Sequence, residues 1–159
     1  MQAKSVVTGL TLLFSAGTAA AQLPNPYGAP IGLDDAKKVA APAVAEARKN
    51  NWNVAVAIVD IGGNLVYYEK MDGTQLGSPP VSIDKARSAA LFKRPTKAFQ
   101  DVLAAGGDGL RILRLPGALP IEGGVPIIMD GKIVGAIGVS GATSAQDGQC
   151  ATAGASSVR

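Results

Sequence analysis

Residues 118–155 constrain the fold more than any other stretch of this chain. Asp130-Gly131 stands there between two apolar runs, Val125-Pro126-Ile127-Ile128-Met129 and Ile133-Val134-Gly135-Ala136-Ile137-Gly138-Val139. A two-residue turn of the primed type needs positive φ at its central positions, which Asp and Gly tolerate, so the two runs are expected to fold back on each other as an antiparallel hairpin. Gly123-Gly124 ahead of Pro126 reads as a turn that must precede the first strand. After the second strand, Ser144 is placed to cap a helix of small residues, with Asp147 reaching back at capping-box spacing. Gly148 and Gly154 weaken that helix.

The rest of the chain supplies a second hairpin and more helices. Residues 34–50 carry Ala36, Val39, Ala40, Ala43, Val44 and Ala47 at helical spacing, so an apolar stripe must be covered. Pro42 falls inside it and predicts a kink near Lys38, since an interior proline costs about 3 kcal/mol. Residues 53–60 form a β-branched run, and after Ile61-Gly62-Gly63-Asn64 residues 65–71 read as its hairpin partner. Pro79-Pro80 gives way to a helix over residues 82–92, with Ile83, Ala86, Ala89 and Ala90 on one face. Arg94-Pro95-Thr96 opens a shorter helix bearing Phe99, Val102 and Leu103, and Gly106 is placed as its stop. Residues 108–116 read as a loop with a short apolar piece. Two hairpins interleaved with helices predict an α+β domain, with helices packed on one antiparallel sheet.

Lys4, the apolar run of residues 6–14 and Ala19-Ala20-Ala21 have the organisation of a secretory signal cleaved after Ala21. The run is well short of the roughly 20 residues that span a bilayer. Removal of 21 residues from 159 leaves 138, and the loss of one lysine takes the net charge from +3 to +2. That is one domain's worth of chain, exported to a periplasmic or extracellular location. Residues 22–32, with three prolines and two glycines, read as an extended arm, either solvated or laid on a neighbouring subunit. Lys and Arg are scattered among acids with few aromatics, which argues against nucleic acid as a partner. Cys150 stands alone, so no disulfide can form within the chain.

The chain contains no histidine, which excludes His-dependent triads and His-ligated zinc or haem within it. Phosphate-loop and dinucleotide motifs fail as well. Ile133 follows Gly131-Lys132 where a hydroxyl is needed, Pro126 occupies the first glycine position, and Gly135, Gly138 and Gly141 have the wrong spacing. Those three glycines read as sites of close packing against a sheet strand. Lys93 and Arg94 beside Thr96, near Phe92 and Phe99, offer cations next to an apolar wall that could hold a carboxylate-bearing ligand. The alternative is a solvated junction over two core phenylalanines. Ser82, Asp84, Lys85 and Arg87 form a polar helix face, read as solvated surface or subunit contact. Glu122, in the glycine loop, is the candidate general base if the protein is an enzyme.

Several blocks in order resemble the GlcG/HbpS family, whose HbpS-like members are also described as haem-degrading or PduO C-terminal-like domains. They are Asp-Ala-Lys-Lys at residues 35–38, Val-Ala-Ile-Val-Asp at 56–60 with Gly-Gly-Asn, Asp-Lys-Ala-Arg-Ser-Ala-Ala at 84–90 and Pro95-Thr96. Gly-Gly-Val-Pro-Ile, Gly-Ala-Ile-Gly-Val-Ser-Gly and Asp147 follow. The similarity runs over residues 33–158, placing one domain at 33–159. It implies a profilin-like fold, self-association into symmetric homo-oligomers and haem binding in exported members, with haem storage, sensing or degradation as roles. It equally implies an alternative, an enzyme or binding protein for a small organic acid or aromatic catabolite. Carried over by residue, Thr96 takes the position of a haem-iron contact, and Lys93 and Arg94 would neutralise propionates. Without histidine, iron contacts would fall to weaker or less usual ligands such as Thr96, Tyr67, Tyr68, Met71 or Cys150.

Overall fold

A computed structural model describes residues 23–158. The expected signal sequence, residues 1–21, lies outside them. Helix α1 (Leu33–Lys49) leads to strands β1 (Ala55–Asp60) and β2 (Leu65–Lys70), helices α2 (Ser78–Phe92) and α3 (Thr96–Ala104), and a 3-10 turn over Gly107–Arg114. Strands β3 (Gly124–Met129) and β4 (Lys132–Ser140) and helix α4 (Ser144–Ala155) complete the domain. The four strands form one antiparallel sheet in the order β2-β1-β4-β3, so the two hairpins meet at β1 and β4. The Asp130-Gly131 turn has φ of 49° and 71°, the positive pair a primed turn requires.

Alternation along the strands sorts residues by size, and this decides how each helix packs. Val54, Val56, Ile58, Ile137 and Val139 project into the main core beneath α1 and α4. The other face carries small residues, and there Val59 and Ala136 meet Ala86, Ala89 and Ala90 of α2. A β-carbon on Gly138 would strike the Ser82 carbonyl and lie 2.5 Å from the Ala86 nitrogen, so the backbone of α2 rests directly on β4. Gly138 thus has the packing role expected of it, and both faces of the sheet are covered.

Local details depart from expectation in instructive ways. Helix α1 runs continuously through Pro42. Pro42 withholds an N–H from the Lys38 carbonyl, and the Ser157 hydroxyl lies 3.5 Å from that oxygen. Helix α2 begins at Ser78, four residues before the predicted start, because Pro79 and Pro80 occupy its first turn, where no N–H is needed. The apolar piece within residues 108–116 coils into the 3-10 turn instead of staying a loop. Residues 23–32 lie on their own domain. Gly28 N–H donates to the Ile133 carbonyl at 2.8 Å, Ile133 N–H to the Pro26 carbonyl at 2.9 Å, and the Tyr27 hydroxyl to the Ala90 carbonyl at 2.8 Å. The arm takes the place beside Ile133 and Val134 that β1, ending opposite Gly135, leaves open.

The cap of α4 is Thr143, not Ser144. Its hydroxyl accepts from Gln146 N–H, and the Gln146 side chain accepts from Thr143 N–H at 3.1 Å. Thr143→Ala is expected to lower stability by about 1 kcal/mol, read as a lower urea midpoint at unchanged slope; an unaltered midpoint would show that this exposed cap contributes nothing. Asp147 is thereby released from the capping role and turns into the protein.

Candidate functional site

Two clusters surround the start of α3. The first is the α2–α3 junction picked out by its cations. Lys93 ends α2 in the left-handed conformation, φ 52° and ψ 42°, which turns the chain sharply into Arg94 and Pro95. Phe92 and Phe99 meet edge to face at 5.3 Å, and the Arg94 guanidinium lies 5.2 Å from the Phe99 ring while its Nε donates to the Phe92 carbonyl. The Lys93 ammonium instead lies 5.4 Å from the Tyr27 ring in the arm. The two cations therefore stack on different aromatics and stay half-buried. Phe99 is core, as the plainer reading of the junction had it.

Between α2 and the segment before β3, Asp84, Arg87, Leu91, Gly117, Ala118 and Leu119 line a cleft of about 280 Å³. The Ser88 hydroxyl accepts from Leu119 N–H at 3.0 Å and holds the two walls together. A β-carbon on Gly117 would lie 3.9 Å from the Phe92 ring, but Phe92, Lys93 and Arg94 do not line the cleft. Leu91, in the cleft wall one helical turn after Arg87, is 49% exposed.

The second cluster is buried. The Lys85 ammonium donates to Asp147 Oδ2 at 2.8 Å and to the Val139 carbonyl at 3.0 Å, with both side chains at most 3% exposed. Asp147 Oδ1 accepts from Ala142 N–H at 3.0 Å. Burial pushes Lys85 below the ordinary lysine range and Asp147 above the ordinary carboxylate range, and the contact between them opposes both shifts. The expectation of a solvated face for Ser82 and Lys85 is thus overturned, because both lie on the side of α2 pressed against the sheet; Asp84 and Arg87 are exposed as expected. Gly123, at φ 127°, passes over the ammonium so closely that a β-carbon would sit 2.8 Å from Lys85 Nζ.

Thr96 and Glu122 belong to this second cluster, not to Lys93 and Arg94. Thr96 is fully buried, and its hydroxyl accepts from Gly124 N–H at 2.9 Å. Glu122, half-buried, has its backbone N–H on the Gln100 side chain and its carboxylate against Gly148, where a β-carbon would meet Oε1 at 2.6 Å. The glycine that weakens α4 makes room for Glu122. Sequence reasoning missed the Lys85–Asp147 pair. A signal was present, because Thr143 and Gln146 satisfy capping-box spacing as well as Ser144 and Asp147 do, which would have left Asp147 unassigned.

A haem group can be tested against these residues. In the cleft beside α2 Arg87 is paired with Asp84, while Lys93 and Arg94 lie outside the lining, so two free cations for propionates are not set beside one apolar face there. The iron donors do not fit either. Cys150 is buried, its thiol pushed up to about 11 mainly by burial. Tyr67 donates to Glu69 at 2.9 Å, Tyr27 to Ala90, and Met71 packs on the core. Tyr68, on the edge strand β2, is the one phenol among the described residues with no hydrogen-bond partner, and it does not line the cleft. Thr96 could reach iron only if the loop over its hydroxyl lifted. Among the described residues no group of three or more acidic or Cys side chains could hold a bare metal ion.

A single antiparallel sheet covered on both faces by helices defines an α+β fold. Residues 31–156 match the family described as haem degrading protein HbpS-like, and the chain belongs to that family. Protein GlcG of Escherichia coli strain K12 is 41% identical over 105 residues, covering 66% of this chain and 77% of that protein. The crystal structure of a double mutant of Streptomyces reticuli HbpS matches with TM-score 0.74 and 31% identity, covering 98% of this chain and 97% of that one. A structure titled as a PduOC:heme complex matches with TM-score 0.73 and 25% identity, covering 82% and 96%. The single antiparallel sheet with packed helices expected from the sequence is thus the fold of these relatives.

Proposed function

We propose that this chain is an exported haem-binding protein of the HbpS-like family that sequesters, senses or helps to degrade haem, working as a homo-oligomer. The observation that supports this most is family membership, together with a solved relative in complex with haem. The chain's own contribution is the α2–α3 junction, where Lys93 and Arg94 are the cations for the propionates and Leu91 is exposed two residues before Lys93. Exposed Leu76, Leu110 and Leu113 supply apolar surface for self-association. Among the described residues no helix is long and apolar enough to cross a membrane.

Protein recovered from the cell envelope should begin at Gln22 and elute above monomer mass. On titration with haemin it should shift the Soret band in a saturable way. An unshifted Soret band at micromolar haemin would overturn the haem reading. The cleft beside α2, about 280 Å³, has the size for a smaller acid, near the lower end of small-molecule pockets at about 300 Å³. In that case a small carboxylate, rather than haemin, should add about 2.7 kcal/mol to stability at a hundred times its Kd.

A further inference from the structure

The two edges of the sheet differ. At the β3 edge, Val139 N–H donates to the Gly123 carbonyl, so alternation turns Gly124 and Pro126 away from β4. Neither offers a free donor there: Gly124 N–H is bonded to the Thr96 hydroxyl at 2.9 Å, and proline has no N–H. At the β2 edge, Met71 N–H donates to the Val54 carbonyl at 3.0 Å, so Glu69 and Tyr67 bond to β1 while the N–H and C=O of Tyr68 and Lys70 face outward. Among the described residues no turn or arm takes them up. Helix α2 packs over β1, β4 and β3, and on that side Leu65 and Tyr68, opposite Val59 and Ala57, are 46% and 36% exposed. An open edge beside exposed apolar side chains is a template for another strand.

We propose that the β2 edge is where two copies of this chain meet, strand against strand and antiparallel, about a two-fold axis at Tyr68 that joins two four-stranded sheets into one. The proposal rests on the homo-oligomer reading above and names an interface for it. Charge selects the register. With the axis at Tyr68 the two phenol rings pair, Glu69 faces Tyr67 of the second copy and Lys70 faces Val66, so no like charges oppose each other. An axis at Glu69 or Lys70 would set that charge directly opposite its own copy. An axis at Tyr67 would oppose Lys70 to Asn64, whose N–H and C=O are already bonded to Asp60. A two-fold contact uses one patch twice, and this strand is complementary to itself, which argues for a second copy over an unrelated strand.

The full mature protein is tested by sedimentation and by disulfide trapping. Cys150 is buried, so a cysteine introduced on β2 is the only accessible thiol among the described residues. Tyr68→Cys should cross-link to a dimer under a mild oxidant, because α-carbons about 5.5 Å apart suit a disulfide. Glu69→Cys and Lys70→Cys should cross-link at least tenfold more slowly, their own copies lying beyond about 7 Å. Tyr68→Lys should raise the dissociation constant by about tenfold or more, and Tyr68→Phe should leave it unchanged. Faster cross-linking through Glu69→Cys or Lys70→Cys than through Tyr68→Cys would overturn the register and with it the inference. A wild-type oligomer whose Tyr68→Cys variant does not cross-link would overturn the inference and leave self-association standing, and this outcome decides even where Tyr68→Lys fails to fold. A folded Tyr68→Lys variant that associates as tightly as wild type would overturn it in the same way. Wild-type protein that sediments as a monomer at micromolar concentration would overturn the inference and the homo-oligomer reading together.

Discussion

Replacing Lys85 with methionine is expected to destabilise the protein by about 3–5 kcal/mol, the cost of stranding one partner of a buried ion pair. Methionine fills most of the lysine's volume, so the loss isolates the charge. Asp147 would keep the Ala142 N–H but lose the cation 2.8 Å away, in a place where its side chain is 3% exposed. Lys85→Met with Asp147→Leu should recover much of the loss, because two charges are then removed from a dry site at once. A double variant as unstable as the sum of the singles would show that the two residues act independently.

The Lys85→Met loss should depend on pH, and the sign follows from Asp147. Burial already raises its pKa in the folded protein, and deleting Lys85 removes the largest opposing influence. A carboxyl whose folded pKa lies above its unfolded value contributes stability in full below the ordinary carboxylate range. That contribution is lost as pH rises through the folded pKa. Relative to wild type, the variant should therefore be least impaired near pH 4 and most impaired at pH 7, by urea unfolding at each. Equal losses at both would mean that the carboxylate is not the strained group. Lys85 in the wild type has the opposite linkage, since its lowered pKa gives a contribution complete above the ordinary lysine range and lost as pH falls through the folded pKa.

Gly138→Ala is expected to cost about 3 kcal/mol or more, at or beyond the upper end of ordinary overpacking. The new methyl group would meet the Ser82 carbonyl, the Ala86 nitrogen and, at 3.0 Å, the Ala86 side chain. Two of these are backbone atoms of α2, which cannot rotate away as a side chain can. The helix would have to lift from the sheet along its length, loosening Lys85 as well. Thermal unfolding should shift down by about 10 °C for a domain of this size. Ala86→Gly in the same chain removes only the side-chain part of the clash and should rescue little; full rescue would show that the backbone contacts are soft.

Much of the fold was legible in the chain. Asp130-Gly131 between apolar runs made the β3–β4 hairpin, and the spacing of Ala36, Val39, Ala40, Ala43, Val44 and Ala47 made the buried face of α1. Pro95-Thr96 and Gly106 bounded α3 closely, since a proline start and a glycine end act through local backbone geometry. Where local rules were ambiguous they misled. Residues 78–81 belong to α2 because its first turn needs no N–H donors, and Thr143 outcompeted Ser144 as cap by one residue.

The candidate site was legible only in part. Lys93, Arg94, Thr96 and Glu122 all surround the start of α3, but sequence proximity grouped Thr96 with the two cations. The fold groups it with Glu122 through Gly124, 28 residues along the chain. Composition and motif order alone determined the hairpins, the helix stripes, the lack of histidine and the family resemblance, because each depends on residues close together in the chain or on residue types. Only tertiary structure decided that Lys85 and Asp147, 62 positions apart, share a dry pocket under Gly123. It did so because the small residues of β1 and β4 let α2 sink onto the sheet, carrying a lysine from an apparently solvated face to a depth where only a carboxylate could meet its charge.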